Sequence, residues 1–373
     1  VGIIKGEKKA MPKLWEKTGN AKNNSDLVEV DSSKLAIKEP TVVFFPGLLT
    51  NDNNTNFASM DLNYIKNLLS GLPKPPKVYL WSHPDLTNEH KLSLSLIFRD
   101  AVHNLSAHLL PSPPANDASA FIRYLRYTLT CQHSYTAIAK DQAQKLIMPL
   151  VTTPEGKPLR LSVAQRNLHN LTLVAYCIGN LSVQELYNAS KKLMEQAGYT
   201  AQESQKLLQE IALISFASYA EPTKEGHRYT TLSVIQNDDR LLGDRDRFLH
   251  PMRKIFAHFN RQLKIKQISD TSVLVTATVM GERKDRNKKV QDETIPGVRL
   301  PAWHKGAFNH FMSDYVNSDD QHSQVSRIVQ NALLNAVTRK RSVTPLELLR
   351  APTSLDAATK YSYLRKIQRA MQA

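Results

Sequence analysis

Cysteine is scarce in this 373-residue chain: Cys131 and Cys177 are its only two. Two thiols make neither a disulfide framework nor a cysteine-based zinc site, and a reducing compartment is the natural setting for a working thiol. Long apolar runs are also missing, and no stretch approaches the roughly 20 apolar residues of a membrane-spanning helix. The first seventeen residues hold five lysines and lack the apolar segment of a signal peptide. Because the sequence starts at Val1, a leader removed upstream remains open. Acidic residues are outnumbered, 34 against 49 Lys and Arg, for a formal net charge of +15. That imbalance calls for an anionic partner: a phosphoinositide-rich membrane surface, nucleic acid or an acidic protein. With 41% hydrophobic residues and modest Gly and Pro, the composition is that of an ordinary soluble globular protein. The length allows two average domains or one large α/β domain with insertions.

What is present is organised around residues 171–181, LTLVAYCIGNL. The apolar run Leu171, Leu173, Val174 and Ala175, with β-branched Thr172 inside it, suits a buried parallel strand. The chain then turns through Tyr176-Cys177-Ile178-Gly179 and enters a helical pattern marked by Leu181, Leu186, Leu193 and Met194. Ala175-Tyr176-Cys177-Ile178-Gly179 therefore reads small-x-nucleophile-x-small. Small neighbours are needed where strand and helix crowd together, and the positive end of the following helix favours thiolate over thiol. The plain alternative is a buried core cysteine followed by a turn glycine. The pentapeptide resembles the G-x-S-x-G elbow of the α/β-hydrolase superfamily, with Cys for Ser and Ala for the first Gly. It is most similar to members with a cysteine nucleophile, such as the dienelactone hydrolases.

That resemblance implies partners elsewhere. Residues 41–49, TVVFFPGLL, read as a strand ending in Pro46-Gly47. In the resemblance the amide just past this glycine, that of Leu48 (or Leu49), is one half of an oxyanion hole, and the amide of Ile178 is the other. A strand over 230–235 runs into Gln236-Asn237-Asp238-Asp239, where the resemblance implies Asp239 as the triad acid and Asp238 as the alternative. Paired turn aspartates that cap a helix over 247–260 are the plain alternative. After a strand over 271–280 and a basic loop over 281–290, residues 300–315, LPAWHKGAFNHFMSDY, hold two histidines. The resemblance implies His310 as the triad base, His304 as the second choice and His322 as the third. Nucleophile, acid and histidine then follow in the superfamily's chain order.

The rest of the chain is less specific. Residues 1–26 are polar and without periodicity and read as a loose arm, with edge strands expected at 27–30 and 35–37. Strand 41–49, a helix over 57–68 and strand 77–81 make a parallel βαβ unit. The interval from 83 to 170 exceeds one crossover and shows helical patterns over 92–110, 117–129 and 136–148, so it reads as an insertion able to cap the site. His133, beside Cys131, lacks further metal ligands. Capping boxes stand at Thr200-x-x-Glu203 and Thr344-x-x-Glu347, and the helix after the first runs into a buried-strand pattern over 211–220, IALISFASYA. The last helix is expected to pack through Leu355, Leu364, Ile367 and Met371. Its basic residues Lys360, Arg365, Lys366 and Arg369, with 339–341 before it, make either a solvated face or a docking site for an acidic partner or membrane surface.

Together these readings predict an α/β protein with a mostly parallel central sheet of the α/β-hydrolase type, a helical insertion at about 84–165 and a helical C-terminal extension. The expected division is 1–40 for the arm and edge strands, 41–320 for the hydrolase-like domain and 321–373 for the extension. The expected activity is a cysteine hydrolase or acyltransferase acting on an ester, thioester, lactone or amide carbonyl through an acyl-enzyme, without metal or cofactor. The expected setting is soluble and reducing, and the Asn- and Lys-rich style suggests a secreted bacterial effector working in a host-cell cytosol. The rival class is a non-catalytic binding protein that docks a basic surface on anionic lipid, nucleic acid or an acidic protein, with nucleic acid least favoured.

Overall fold

The computed structural model describes residues 13–17, 27–47, 55–82, 134–177, 179–218, 228–236, 263–277, 312–316, 324–351 and 357–372. Apolar runs of these segments become nine strands of one sheet. They are β1 (Leu14–Lys17), β2 (Leu27–Val30), β3 (Thr41–Phe45), β4 (Lys77–Trp81), β5 (Leu171–Tyr176), β6 (Ala212–Phe216), β7 (Thr230–Gln236), β8 (Lys264–Ser269) and β9 (Ser272–Ala277). Among the described residues the spatial order is β2-β1-β4-β3-β5-β6-β7-β9-β8. The six strands from β4 to β9 in that order run parallel. At one end β1 is antiparallel to both β4 and β2, and at the other β8 is antiparallel to β9.

The helices are α1 (Thr55–Leu69), α2 (Ser134–Leu146), α3 (Met148–Val151), α4 (Leu161–Leu168), α5 (Gly179–Ala197), α6 (Ala201–Leu208), α7 (Met312–Tyr315), α8 (Gln324–Thr338), α9 (Pro345–Leu348) and α10 (Ala357–Gln372). Alternation along each strand feeds two cores, because successive side chains leave a strand on opposite faces. Val42, Phe44, Val174, Ile214 and Phe216 pack with Leu62 and Ile65 of α1, Ile328 and Ala332 of α8, and Ile367 of α10. Val43, Phe45, Leu173, Ala175 and Leu213 pack with Leu146, Val151, Leu186 and Leu207 on the other face. Both faces of β5 and β6 are therefore covered, which is why these strands read as nearly unbroken apolar runs. Each fully buried large aliphatic or aromatic side chain contributes about 1.5–3 kcal/mol. The central strands consequently hold fixed whatever sits at their ends.

Local signals place the helix boundaries. Thr200 and Thr344 each accept a hydrogen bond from the amide three residues on, and the Glu203 and Glu347 carboxylates in turn accept one from the cap amide. Gly198 takes a positive φ of 111°, which residues with a side chain rarely adopt, and ends α5 after Ala197.

Several expectations change. The polar arm expected over 1–26 contains β1, an interior strand between β2 and β4. Its Lys17 is buried and donates from Nζ to Ser59 Oγ at 2.9 Å, so a lysine occupies a core position that a hydropathy pattern cannot flag. Residues 35–37 form no strand: a short 3₁₀ turn, Ser32–Lys34, precedes them, although Leu35 and Ile37 are buried. The strand expected over 211–220 ends at Phe216, and β8 was not anticipated. Of the expected packing stripe of α10, Ile367 faces the core, joined by Tyr363, whereas Leu364 and Met371 are exposed and Leu355 lies outside the described residues. The helices expected over 92–110, 117–129 and 247–260, and the loop 281–290, lie outside the described residues. Of the interval after β4, the described part from Ser134 onward lays α2, α3 and α4 against the core beside α5. Among the described residues no helix is long and apolar enough to cross a membrane.

A polar clamp joins the chain's last third to the N-terminal ends of the central strands. The buried guanidinium of Arg339 donates to the Leu171 carbonyl (2.6 Å), to Thr172 Oγ1 (3.0 Å) and to the carbonyls of Glu210 (3.3 Å) and Ala336. Burial lowers its pKa to about 10 against the opposing pull of Glu210, so it stays charged at neutral pH. The Glu210 carboxylate takes hydrogen bonds from His169 Nε2 (2.7 Å), Ser342 Oγ (2.6 Å) and Gln165 Nε2 (3.2 Å). Burial alone would raise the Glu210 pKa, but the bonds from His169 and Ser342 outweigh it and the net shift is downward. A depressed carboxyl stabilises the fold fully above the ordinary carboxylate range and loses that contribution as pH falls through the lowered value. Glu210→Gln is therefore expected to cost about 1–3 kcal/mol at neutral pH. The gap from the wild type should close on acidification, as read by urea unfolding at stepped pH. A gap that stays constant down to acid would contradict the clamp.

Candidate active site

Among the described residues, the parallel part of the sheet reverses its winding at β3. From β3 the chain moves outward to β4, then returns to β5 on the other side of β3 and winds on to β6 and β7. In open parallel sheets, ligands bind in the crevice beyond the carboxyl ends of the strands at such a point. Here that crevice lies past Phe45 of β3 and Ala175 of β5, which pair in register.

Cys177 stands at this place. It follows β5 directly and holds φ at +55°, a left-handed conformation that costs a non-glycine residue about 1–2 kcal/mol. Its surroundings hold it there. The Cys177 amide donates to the Phe216 carbonyl at the end of β6 (3.2 Å). Its own carbonyl accepts from the Asn180 amide (3.3 Å) and from Asn180 Nδ2 (3.1 Å). The same Nδ2 reaches the Phe216 carbonyl (3.4 Å), and Asn180 Oδ1 accepts from Ser215 Oγ (2.5 Å). Asn180 and Ser215 are both buried, so this brace works where water does not compete.

The two small residues around the cysteine have distinct reasons to be small. Ala175 is fully buried in the core under α5. At Gly179 an added Cβ would stand 2.1 Å from the Phe45 carbonyl oxygen and 2.8 Å from that of Pro46. Both obstacles are backbone, so neither can turn aside. Helix α5 thus starts pressed against the Pro46-Gly47 turn. Gly47 closes the other side: a Cβ there would lie 2.7 Å from the Tyr176 ring and 3.4 Å from Cys177 Cβ. The first turn of α5 carries no acidic residue that would offset the positive end of the helix dipole near the thiol.

The end of the sheet around the cysteine is aromatic. Phe216 lies between Tyr176 (ring centroids 5.6 Å apart) and Tyr315 of α7 (5.8 Å). Met312, Tyr315 and Val316 belong to the same buried cluster as Cys177. The Cys177 residue itself is 7% exposed.

Of the residues expected from the sequence, Cys177, Ala175, Gly179 and Gly47 are thus brought together. Leu48, Ile178, Asp238, Asp239, His304, His310 and His322 lie outside the described residues, as do Cys131 and His133. One described segment stops at Gln236 of β7, three residues before Asp239, and another begins at Met312, two residues after His310, with 263–277 described between them. Sequence reading missed Asn180 and Ser215. Their signal was a polar residue inside an apolar run (Ser215 in ALISF) and an asparagine directly after the elbow glycine. Both residue types demand a hydrogen-bond partner when buried.

His169, Glu210 and Ser342 have the composition of a catalytic triad, yet they sit at the opposite, N-terminal ends of β5 and β6. There the serine bonds the carboxylate and not the imidazole, so the histidine cannot take the serine's proton. Comparison with protein-family models and with curated proteins finds no match to this chain. The class defined by the fold is an α/β protein with a mostly parallel mixed sheet.

The crowding at Gly179 has a direct consequence. Gly179→Ala is expected to destabilise the protein by about 2 kcal/mol or more, since overpacking against fixed backbone is relieved only by moving β3 or α5. Gly71→Ala, where an added Cβ meets nothing within 4 Å, should stay within about 0.5 kcal/mol of the wild type in the same denaturant titration. Equal stabilities for the two variants would contradict the close approach of α5 to the Pro46-Gly47 turn.

Proposed function

We propose that the chain is a cysteine-nucleophile enzyme of the α/β-hydrolase type that attacks ester, thioester or amide carbonyls through an acyl-enzyme. The reading rests on one observation: Cys177 is held left-handed at the carboxyl end of β5, at the reversal point of the sheet, with the Pro46-Gly47 turn against it. Three features support it. Strand, sharp turn and helix follow one another as a nucleophile elbow requires. The turn after β3 approaches the thiol from the side where such enzymes recruit an oxyanion donor. The chain order of Cys177, Asp239 and His310 matches nucleophile, acid and base.

In the proposed reaction the histidine (His310, with His304 as the alternative) accepts the thiol proton as Cys177 Sγ bonds to the carbonyl carbon. The amides of Leu48 and Ile178 hold the resulting oxyanion. Its collapse breaks the bond to the alcohol, thiol or amine, which leaves with the proton from the imidazolium. Water or another acceptor then attacks the thioester and restores the thiol. Asp239, or Asp238, keeps the imidazole in the required tautomer. A reducing compartment, a host-cell cytosol included, suits a thiolate that would otherwise oxidise.

The test is the rate of Cys177 alkylation against pH, with Cys131 as internal reference and His310→Ala and His304→Ala alongside. The expected result is a Cys177 that is alkylated faster than Cys131 at neutral pH, with one histidine variant abolishing the difference. A Cys177 that reacts only after unfolding would make it a core thiol and remove the catalytic reading.

A further inference from the structure

The final helix covers the far edge of the sheet. Tyr363 and Ile367 of α10 are buried and share a core cluster with Ile265 of the edge strand β8. The helix therefore presents its other sides outward. Tyr361, Leu364 and Met371 are 64%, 42% and 49% exposed. At 3.6 residues per turn these three fall within an arc of about 80° on one flank of the outward surface. Arg365, Arg369 and Lys366 occupy the adjoining arc, all exposed, and the Arg365 guanidinium lies 5.5 Å from the centre of the Tyr361 ring. The helix sequence AATKYSYLRKIQRAMQ has no acidic residue. Along the same edge, β8 adds exposed Lys264 and Lys266.

We infer that this edge docks on an anionic lipid bilayer, with α10 lying in the interface. Aliphatic and aromatic side chains beside a cationic arc match the two zones of a membrane surface. The apolar residues enter the boundary between headgroups and acyl chains, and the cations meet lipid phosphates and carboxylates. Nucleic acid would satisfy the cations but leave Leu364 and Met371 in water. A second copy of the helix would set cation against cation. This inference does not depend on the chemistry assigned to Cys177.

The experiment is sedimentation of the full chain with phosphatidylcholine vesicles, with and without phosphatidylserine, at low and high salt. Binding is expected to the anionic vesicles alone and to weaken with salt. The triple change R365E, K366E and R369E is expected to reduce binding by at least about 100-fold, since each cation near the surface counts for roughly a factor of five. Leu364→Ser with Met371→Ser should weaken binding several-fold while thermal unfolding stays unchanged, because both residues are exposed. Cys177→Ala should bind like the wild type, which separates this inference from the catalytic one. Absence of vesicle binding, equal binding to neutral vesicles, or retention of binding in the triple variant would each overturn it. So would duplex DNA that binds the chain tightly and indifferently to the Leu364 and Met371 changes while vesicles do not.

Discussion

The hydrogen bond from the Cys177 amide to the Phe216 carbonyl is the constraint on which the candidate site depends. A cysteine left to itself avoids the left-handed region, and a strand followed by a helix has no intrinsic need to pass through it. The bond ties the turn to the end of β6, and Asn180 repeats the tie from the helix side through the Cys177 and Phe216 carbonyls. Ser215 then fixes the Asn180 side chain, so strand, turn and helix form one hydrogen-bonded unit. Strain of this kind persists only where the surroundings over-determine it, and such places are commonly functional. Ala217, one strand over, repeats the pattern: it also has a positive φ, and its amide donates to Val234 of β7.

Packing and chemistry meet at the same atoms. Gly179 exists because the carbonyls of Phe45 and Pro46 occupy the space of a side chain, and that contact is also what brings the turn after β3 to the cysteine. The two cores on either face of the sheet hold β3 and β5 in register up to Phe45 and Ala175, and the turns begin just beyond. At the opposite ends of the strands, Arg339 and Glu210 secure α8 and the segment after it to the sheet. That segment leads on to α10 and its basic outward face.

The central strands were legible because burial on both faces leaves a continuous apolar run, as in β3, β5 and β6. The strand-turn-helix passage around Cys177 was legible because an apolar run meets small residues at fixed spacing, and the capping boxes at Thr200 and Thr344 because their chemistry is local. β1 was not: it is four residues long, and its buried Lys17 is satisfied by Ser59, 42 residues away in the chain. β8 was hidden for a related reason. As an edge strand it carries Lys264 and Lys266 outward, and its pairing with β9 decides its conformation. The face of α10 was legible only at Ile367: two apolar stripes compete on one helix, and only the docked sheet edge determines that Tyr363 and Ile367 are buried while Leu364 and Met371 are not.

The central claim is that Cys177 carries an acyl group during turnover. Its most direct measurement is peptide mass after brief exposure of the full chain to short acyl esters and acyl thioesters, quenched in acid. The account predicts one acyl group on the peptide that contains Cys177, formed faster than on Cys131 and absent in Cys177→Ala. Acylation spread equally over Cys131 and surface lysines, with none favouring Cys177, would contradict it.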